Sequence, residues 1–382
     1  MNKKILVITS GYFPEGEPGA LRIRMFCRTL AYQGNDITVL CRGEAEEVGV
    51  IDGTIAYYSL RGKIRKKIDK LIDYVSFLKK IKKHPTIKDI DAIYIYNAPI
   101  AVFLWAKKYA KVHSIVLVHD CVEWYSPSEF KFGIFNPAYI AKSIINRVII
   151  DKNFKVIAIS RYLEKYFCKK GIDTINIPML CDCRDYSEKQ HTMENSLTLF
   201  YAGTPAKKDL VGNVILALRE LHVKKNIRFV IFGCTPEHLC KYCNVNDKIL
   251  EDLKEIIEIK GRVPRKQIIE AMKEADFLIL PRDAELRYAK AGFPSKVVEA
   301  LANGIPIICN YHSDLAEYLI DGKNAIISNG HTVESLKIAI ENAVSLTSDE
   351  KIALKRNARK TAKEKIDIYN YGEIINSFIF GK

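Results

Sequence analysis

No apolar run in these 382 residues approaches the roughly 18–20 needed to cross a bilayer, so hydropathy gives no membrane span. Met1-Asn-Lys-Lys followed by Ile5-Leu-Val-Ile-Thr9 has the outline of a signal peptide. No small-residue cleavage site follows, and Gly11-Tyr-Phe-Pro14 reads as a turn. A first buried strand and a cytoplasmic protein are therefore expected. A dinucleotide fingerprint is missing too: Gly11, Gly16 and Gly19 have the wrong spacing for G-x-G-x-x-G, and the second strand closes on Cys41-Arg42 rather than on an acid. This disfavours a nicotinamide enzyme. No Asp-x-Asp manganese motif is expected. The ten cysteines are scattered, and Cys41 and Cys309 sit inside apolar runs as small buried hydrophobes. Cys240-Lys-Tyr-Cys243 is only half of a zinc site, with Cys181 and Cys183 as its sole partners in prospect, so no metal is expected. A disulfide framework is not expected in a chain of this size.

Acid is in short supply: 45 Asp and Glu face 59 Lys and Arg, giving +14. Such a chain seeks anions. Nucleic acid is not expected, because the aromatic interleaving and recognisable folds of its binders are absent. Ten of the basic residues crowd into 61–83, where Ile64, Ile68, Leu71, Ile72, Val75, Leu78 and Ile81 recur at helical spacing. Two readings stand for this basic amphipathic helix. It lies on an anionic membrane surface, or it turns its apolar stripe into the core.

Strand and helix patterns alternate twice over. β-Branched runs at 4–10, 36–41, 91–96, 114–118 and 155–159 enclose helical periodicity at 21–33, 64–83, 100–111 and 137–151. The alternation restarts with strands at 197–202, 227–232, 257–260, 276–280, 305–309 and 325–328. Helices are expected at 209–221, 265–274, 295–303, 313–320, 332–345 and 348–366, with a last one over 369–380. Continuous apolar runs between helices imply parallel sheets covered on both faces. The expected architecture is α/β: two doubly wound Rossmann-like domains, 1–180 and 196–366, facing a central cleft. A polar linker occupies 181–195, and a C-terminal helix, 367–382, returns to the first domain. Ligands of such sheets bind beyond the carboxyl ends of the strands.

The richest segment runs from Leu280 to Ile308. A strand ends near Leu280, a loop follows to Phe293, Pro294 suits a first helical position and Gly304 a helix stop. The helix opening at Ser295 offers unpaired amides, Gly292 allows close backbone approach, and Lys296 adds positive charge. Together they suit a diphosphate. Glu299, one turn on, would repel phosphate but can accept hydrogen bonds from ribose hydroxyls. Its neighbours Val297, Val298, Ala300 and Leu301 are apolar, which speaks against an idle solvated Glu.

The stretch Ala289-Lys-Ala-Gly-Phe-Pro-Ser-Lys-Val-Val-Glu-Ala-Leu-Ala-Asn-Gly-Ile-Pro306 resembles the signature of family 4 retaining glycosyltransferases of the GT-B fold, in the branch that builds bacterial surface polysaccharides. That signature is Glu, seven residues, Glu, a small-residue helix and Gly-x-Pro. Glu299 and Gly304-Ile-Pro306 match it. The first Glu falls at Ala291, with Asp283 and Glu285 as the carboxylates in the preceding loop. The resemblance extends to Phe200-Tyr-Ala-Gly-Thr-Pro-Ala-Lys-Lys-Asp209, where the family holds the diphosphate with an Arg and a Lys. Lys208 matches the Lys. The Arg position falls near Thr204, with Lys207 or Arg282 to compensate. Gly261-Arg-Val-Pro264 resembles the loop whose backbone, near Val263, contacts the base. The loop bearing Gly11 and Gly19 resembles the one facing acceptor and donor phosphate.

Val118-His-Asp-Cys-Val-Glu-Trp-Tyr125 closes a strand of the first half at the same edge. A His beside carboxylates suits acid–base work or hydrogen bonding. In the family a His here lies near the transferred sugar; His119 corresponds to it, with Asp120 and Glu123 on the acceptor side. The resemblance implies a hexosyltransferase that needs no enzyme-bound metal and no cofactor. It would move sugar from a UDP- or GDP-sugar to a glycan or lipid-linked glycan, with retention, in capsule, O-antigen or exopolysaccharide synthesis. Its place would be the cytoplasm or the inner face of the membrane. A nucleotide-sugar epimerase of the same fold and a catalytically inactive binding protein are the alternatives.

Overall fold

The computed structural model describes residues 2–15, 18–43, 45–60, 69–186, 196–205, 208–221 and 226–381, with the side chains at 18 and 69–75 outside that description. Lys207, Gly16, the start of the basic segment at 61–68 and the polar stretch 187–195 thus fall outside the described residues. The chain divides into two compact units, Met1–Leu180 with Ile368–Lys382, and Cys181–Asp367.

The first unit is built on strands β1 (Lys4–Tyr12), β2 (Asp36–Arg42), β3 (Glu47–Ile51), β4 (Ile55–Ser59), β5 (Ala92–Tyr96), β6 (Val116–Cys121), β7 (Lys155–Ala158) and β8 (Thr174–Asn176). Their order is β3-β4-β2-β1-β5-β6-β7-β8, parallel throughout except for the antiparallel hairpin β3–β4 at one edge. Ile5 to Ile8 are all buried, because helices cover both faces of the central strand. Those helices are α1 (Pro18–Tyr32), α2 (Asp69–Lys83), α3 (Ile100–His113), α4 (Pro137–Ile144) and α5 (Arg161–Lys169). In the described part of α2, Phe77 and Ile81 are fully buried, so those two apolar side chains face the core. The helix expected over 137–151 ends early: α4 passes at Ile145 into a π-turn, Ile145–Ile149. Lys170 closes that turn by donating to the carbonyls of Asn146 (3.0 Å), Arg147 (3.1 Å) and Ile150 (3.0 Å). The C-terminal helix Gly372–Phe380 packs on α1, where Ile375 and Ile379 join the core and Asn35 Nδ2 donates to Asn376 Oδ1 at 3.0 Å.

One ion pair locks this unit at its carboxyl edge. Arg22 on α1 grips Asp120 on β6 with both ends of its guanidinium, Nε to Oδ2 and Nη2 to Oδ1, each at 2.8 Å. Tyr94 donates its hydroxyl to Asp120 Oδ2 at 2.6 Å, and Arg22 Nη1 donates to the Pro178 carbonyl at 2.9 Å. The pair is sealed, with side-chain exposures of 2% and 0%. Two buried charges persist only when each supplies the other's partner.

The second unit carries β9 (Leu197–Ala202), β10 (Ile227–Phe232), β11 (Ile257–Ile259), β12 (Phe277–Ile279), β13 (Ile307–Cys309) and β14 (Ala325–Ile327), in the order β11-β10-β9-β12-β13-β14, all parallel. Its helices are α6 (Val211–Leu221), α7 (Pro236–Tyr242), α8 (Asp247–Asp252), α9 (Arg265–Lys273), α10 (Arg287–Ala291), α11 (Ser295–Ala302), α12 (Val333–Ser345) and α13 (Ser348–Lys365). This is the doubly wound order in which the chain reverses direction between the first and fourth strands, here β9 and β12. The helix expected at 313–320 is a single 3-10 turn, Leu315–Glu317, preceded by Ser313 in the left-handed region (φ 52°). Residues 181–186, expected within the linker, instead belong to the second unit. Cys181 N–H donates to the Ile366 carbonyl at 3.0 Å, and Arg359 Nη2 donates to the carbonyls of Cys183 (2.7 Å) and Tyr186 (2.8 Å).

Removing one member of the Arg22–Asp120 pair is expected to cost about 3–5 kcal/mol, because the other is left charged and unpaired inside the sheet edge. The chain's two tryptophans, Trp105 and Trp124, both lie in the first unit, so their fluorescence reads its unfolding alone. Urea denaturation of Arg22→Met should show that loss, with a smaller one for Arg22→Met combined with Asp120→Asn.

Candidate donor site

Three backbone features meet at the reversal between β9 and β12. Gly203 leaves β9 with φ 153°, and Gly233 leaves β10 with φ 94°. They pack so closely that a Cβ on Gly233 would stand 2.4 Å from the Gly203 carbonyl oxygen. Gly233 N–H in turn donates to the Gly261 carbonyl at 2.7 Å. Glycine is required here because no side chain fits. Across the reversal, Leu210 N–H donates to the Pro281 carbonyl at 3.0 Å, tying the two loops together.

Helix α11 opens beside them. Val297, Val298, Ala300, Leu301 and Ala302 are buried, while Ser295, Lys296 and Glu299 occupy the partly exposed face. Pro294 sits at the cap position, one residue earlier than expected. Of the first-turn amides, that of Val297 donates to the Pro294 carbonyl at 3.1 Å, while the amides ahead of it precede any i−4 acceptor, the ordinary condition of a helix start. The other end is closed by Gly304 at φ 72°: its N–H donates to Leu301 O at 3.0 Å, and Ile305 N–H to Ala300 O at 2.8 Å. Arg359 of α13 also donates to the Ala302 carbonyl.

The cations are organised by one carboxylate. Asp209 receives Arg282 Nε on Oδ1 at 2.7 Å and the Tyr201 hydroxyl on Oδ2 at 2.7 Å, and its Oδ2 also pairs with Lys296 Nζ. Lys296 Nζ donates to Tyr201 Oη at 3.0 Å and lies 4.2 Å from that ring's centre. Burial alone would raise the Asp209 pKa; the charges of Lys296 and Arg282 hold it far below the usual carboxylate range. Burial lowers Lys296, against the pull of Asp209. The Arg282 backbone is pinned from both sides by Asn310, whose Oδ1 accepts the Arg282 N–H at 3.0 Å and whose Nδ2 donates to its carbonyl at 2.8 Å. Lys208 is exposed; its ammonium lies 5.5 Å from the Tyr288 ring centre, and the Tyr288 hydroxyl donates to its carbonyl at 2.6 Å. An exposed cation therefore stands next in the chain to the carboxylate that fixes two others.

Residues 184–363 match the family model described as glycosyl transferases group 1. The second unit is a group 1 glycosyltransferase domain. An uncharacterised glycosyltransferase of Methanocaldococcus jannaschii is 23% identical over 282 residues, 69% of this chain and 67% of its own. Among solved structures, WaaG, a glycosyltransferase involved in lipopolysaccharide biosynthesis, superposes with a TM-score of 0.69 at 17% identity, covering 99% of this chain and 100% of its own. Anabaena HepE, solved with UDP and glucose, gives 0.64 at 15% identity and covers 98% and 99%. These likenesses show the fold, two Rossmann-like α/β units of the GT-B class, as expected.

Within the glycosyltransferase domain, Lys296, Arg282, Gly292, Phe293, Pro294 and Ser295 are gathered around the start of α11, with Lys208 joined to α10 through Tyr288. Gly292 has extended backbone (φ −97°), so its role there is not left-handed geometry. Phe293 packs edge-on against Tyr318, ring centres 5.1 Å apart. Thr204 is exposed and touches the Gly233 carbonyl at 3.4 Å, and Val263 is half-buried in the loop before α9. Glu299 is 15% exposed and receives Arg265 Nε (3.0 Å) and Nη2 on the same oxygen, Oε1. Arg265 Nη2 also donates to Tyr186 Oη at 3.2 Å. Sequence reasoning missed Asp209, Tyr201, Asn310 and Arg265. Apart from the Tyr201–Asp209 contact, eight residues apart, their partners lie tens of residues away, and only the position of Tyr201 near the end of β9 hinted at them. Ala291 is fully buried at the end of α10. Of the loop carboxylates, Glu285 is 86% exposed and paired with Lys290, and Asp283 Oδ1 accepts the Glu285 N–H at 3.0 Å.

The residues expected on the acceptor side fare differently in the first unit. Asp120 is fully committed to Arg22 and Tyr94 with no exposed surface, so it is a structural carboxylate rather than a ligand group. Gly19 lies within α1, where a Cβ would meet Tyr96 Oη at 2.7 Å; it permits helix-to-sheet packing rather than facing a phosphate. Gly11 is the next-to-last residue of β1, its N–H donating to Thr9 Oγ1 at 3.0 Å. Glu123 receives the Tyr125 hydroxyl and faces Lys142 Nζ at 3.9 Å. His119 is buried between Phe103 and Phe167, and neither ring nitrogen has a well-formed hydrogen bond. Burial, then the Lys142 charge, pushes it down to about 3, so the ring is neutral near pH 7 and unsuited to acid–base work there. Asn97, Glu123, Lys142 and Asn146 line a small pocket with it. The one Asp-x-Asp, Asp89-Ile-Asp91, lies ahead of β5 at its amino-terminal end, where Asp91 is held by Lys3 Nζ (2.7 Å) and Lys4 N–H (2.9 Å). Among the described residues no group of three or more His, Cys, Asp or Glu is placed to hold a metal ion.

Asp209→Asn should loosen the second unit by about 3 kcal/mol, since two cations lose the anion between them. Hydrogen exchange of β9 and β12 amides would report it. A pH titration tests the first unit. His119 takes up a proton on unfolding at any pH below its ordinary value near 6.5, but not in the folded chain until about 3. The unfolded state thus binds more protons, and stability falls as pH drops through that window, by up to about 1.4 kcal/mol per unit. Tryptophan-monitored unfolding should show this slope, reduced in His119→Leu.

Proposed function

We propose that the chain is a retaining hexosyltransferase that moves a sugar from a UDP- or GDP-sugar to a glycan or lipid-linked glycan in cell-surface polysaccharide synthesis, on the cytoplasmic side of the membrane. The observation that carries this reading is the fixed pair Lys296 and Arg282 at the opening of α11. Two cations share one carboxylate, leaving positive charge where the helix also points its amides. A diphosphate placed there is met by preorganised donors at no cost of reorientation. HepE, solved with UDP and glucose, supports a uridine donor, and WaaG supports a surface-polysaccharide product.

The chemistry follows from those charges. The bond from the anomeric carbon to the leaving phosphate oxygen breaks as the acceptor oxygen bonds to the same carbon on the same face. The acceptor's hydroxyl proton passes to the departing phosphate. Lys296, Arg282, Lys208 and the α11 amides stabilise the charge that builds on the diphosphate, the work a divalent ion does in other transferases. Glu299, steadied through Oε1 by Arg265, presents Oε2 to the ribose hydroxyls. The backbone near Val263 meets the base.

Isothermal titration with a panel of UDP- and GDP-sugars tests the reading. Lys208→Ala and Glu299→Gln should each weaken the preferred donor about 10- to 100-fold, the worth of one charge-assisted hydrogen bond. Transfer should survive chelation by EDTA. Donor affinities equal to those of the native chain would remove the assigned site, and product formed without an acceptor would indicate an epimerase.

A further inference from the structure

The chain's exposed apolar side chains are not spread evenly. Phe132, Ile134, Phe135, Ile140, Ile144 and Val148 are between 37% and 77% exposed, all within 17 residues of the first unit. They belong to one surface segment: a 3-10 turn at Gly133–Phe135, helix α4, and the π-turn. Six of the eight α4 residues are apolar, counting Pro137, yet none is buried. Ile140 and Ile144 lie one turn apart on the same face of α4, and Val148, in the π-turn that follows, is exposed as well. A contiguous exposed apolar patch of this kind, rimmed by polar residues, marks an interaction surface.

The charges beside it indicate what does. Lys131 and Arg147 are exposed within the segment, and Lys142 is partly so. Neighbouring α3, which packs on the π-turn, exposes Leu104, Lys108 and Lys111. The nearby acids are engaged: Glu123 by Tyr125 and Lys142, Glu129 by the Ser126 amide, Asp151 by Lys107. The surface is thus apolar at its centre and positive around it. That is the chemistry of an amphipathic segment lying in the interface of an anionic bilayer.

We propose that residues 130–148 dock the first unit on an anionic lipid surface, with Phe132, Phe135, Ile140 and Ile144 entering the headgroup boundary and Lys131 and Arg147 meeting lipid phosphates. This relocates the membrane contact from the basic segment 61–83, whose Phe77 and Ile81 are in the core. It stands independently of the donor chemistry.

Co-sedimentation of the full chain with vesicles decides it. Vesicles of phosphatidylcholine with phosphatidylglycerol should bind the chain, phosphatidylcholine alone much less, and salt should weaken binding. Phe132→Ser with Phe135→Ser should reduce binding at least about tenfold, and Lys131→Glu or Arg147→Glu about fivefold or more each. All these side chains are exposed, so circular dichroism and thermal unfolding should match the native chain. Three outcomes overturn the proposal: binding unchanged in these variants; binding lost only when the basic residues of 61–67 are neutralised; or no vesicle binding, with a concentration-dependent dimer in sedimentation velocity that the same phenylalanine changes abolish.

Discussion

The second unit depends on the Asp209 carboxylate. It draws together side chains from three elements: Tyr201 at the end of β9, Arg282 in the loop after β12, and Lys296 in the first turn of α11. Without an anion among them, two cations would sit with side-chain exposures of only 12% and 19%, an arrangement that like-charge repulsion and desolvation both oppose. The same carboxylate explains the neighbouring backbone. Lys296 reaches it by lying over Gly203, where a Cβ would stand 2.5 Å from Nζ. The glycine, the acid and the two bases form one constraint, and a change at any of them disturbs the other three.

The first unit repeats the motif with the opposite consequence. Its sheet has a similar central order, and an Arg–Asp pair again sits at the carboxyl edge. There the pair is sealed, whereas the cations around Asp209 keep a partial opening to solvent. Exposure therefore separates a lock from a site. A sealed bidentate pair can only hold α1 to β6, while partly exposed cations tied to one anion keep surplus charge for a ligand. His119 follows the same logic: burial keeps its ring neutral, so whatever it offers a ligand is a hydrogen bond and not a proton near pH 7.

Much of the fold was legible because parallel strands buried on both faces must be continuously apolar. Ile5-Leu-Val-Ile8 and Leu197-Thr-Leu-Phe200 announce themselves that way. The start and stop of α11 were legible for a local reason, since Pro294 and Gly304 each act within a residue or two of where they stand. The edge hairpin β3–β4 was not, because Glu47-Val-Gly-Val-Ile51 pairs on one side only and has no need to be apolar. Nor were the partners of Asp209, which lie 73 and 87 residues further along the chain. Composition marks Lys207-Lys208 as plain surface charge; nothing local tells that Asp209, next in line, turns inward. Asp120 misled for the same reason. An acid at a strand end looks like a ligand group until the distant Arg22 is seen to claim it.

Under the proposed function, the site's parts divide by what they can recognise. Every donor of this class carries a diphosphate, and the groups suited to it are fixed by packing: α11 by its buried face, Arg282 by Asn310, Lys296 by Asp209. The sugar differs from donor to donor, and the position where the related family places a sugar-facing carboxylate is here Ala291, wholly buried. A buried methyl group cannot hydrogen-bond a hydroxyl. Selection of the sugar then falls to the loop between β12 and α10, whose Asp283 and Glu285 carry the carboxylates and where Glu285 is held by a single exposed lysine. An exposed ion pair is worth little, so it yields readily to a ligand. The rigid half of the site would thus read what all nucleotide-sugars share, and the loosely held loop what distinguishes them.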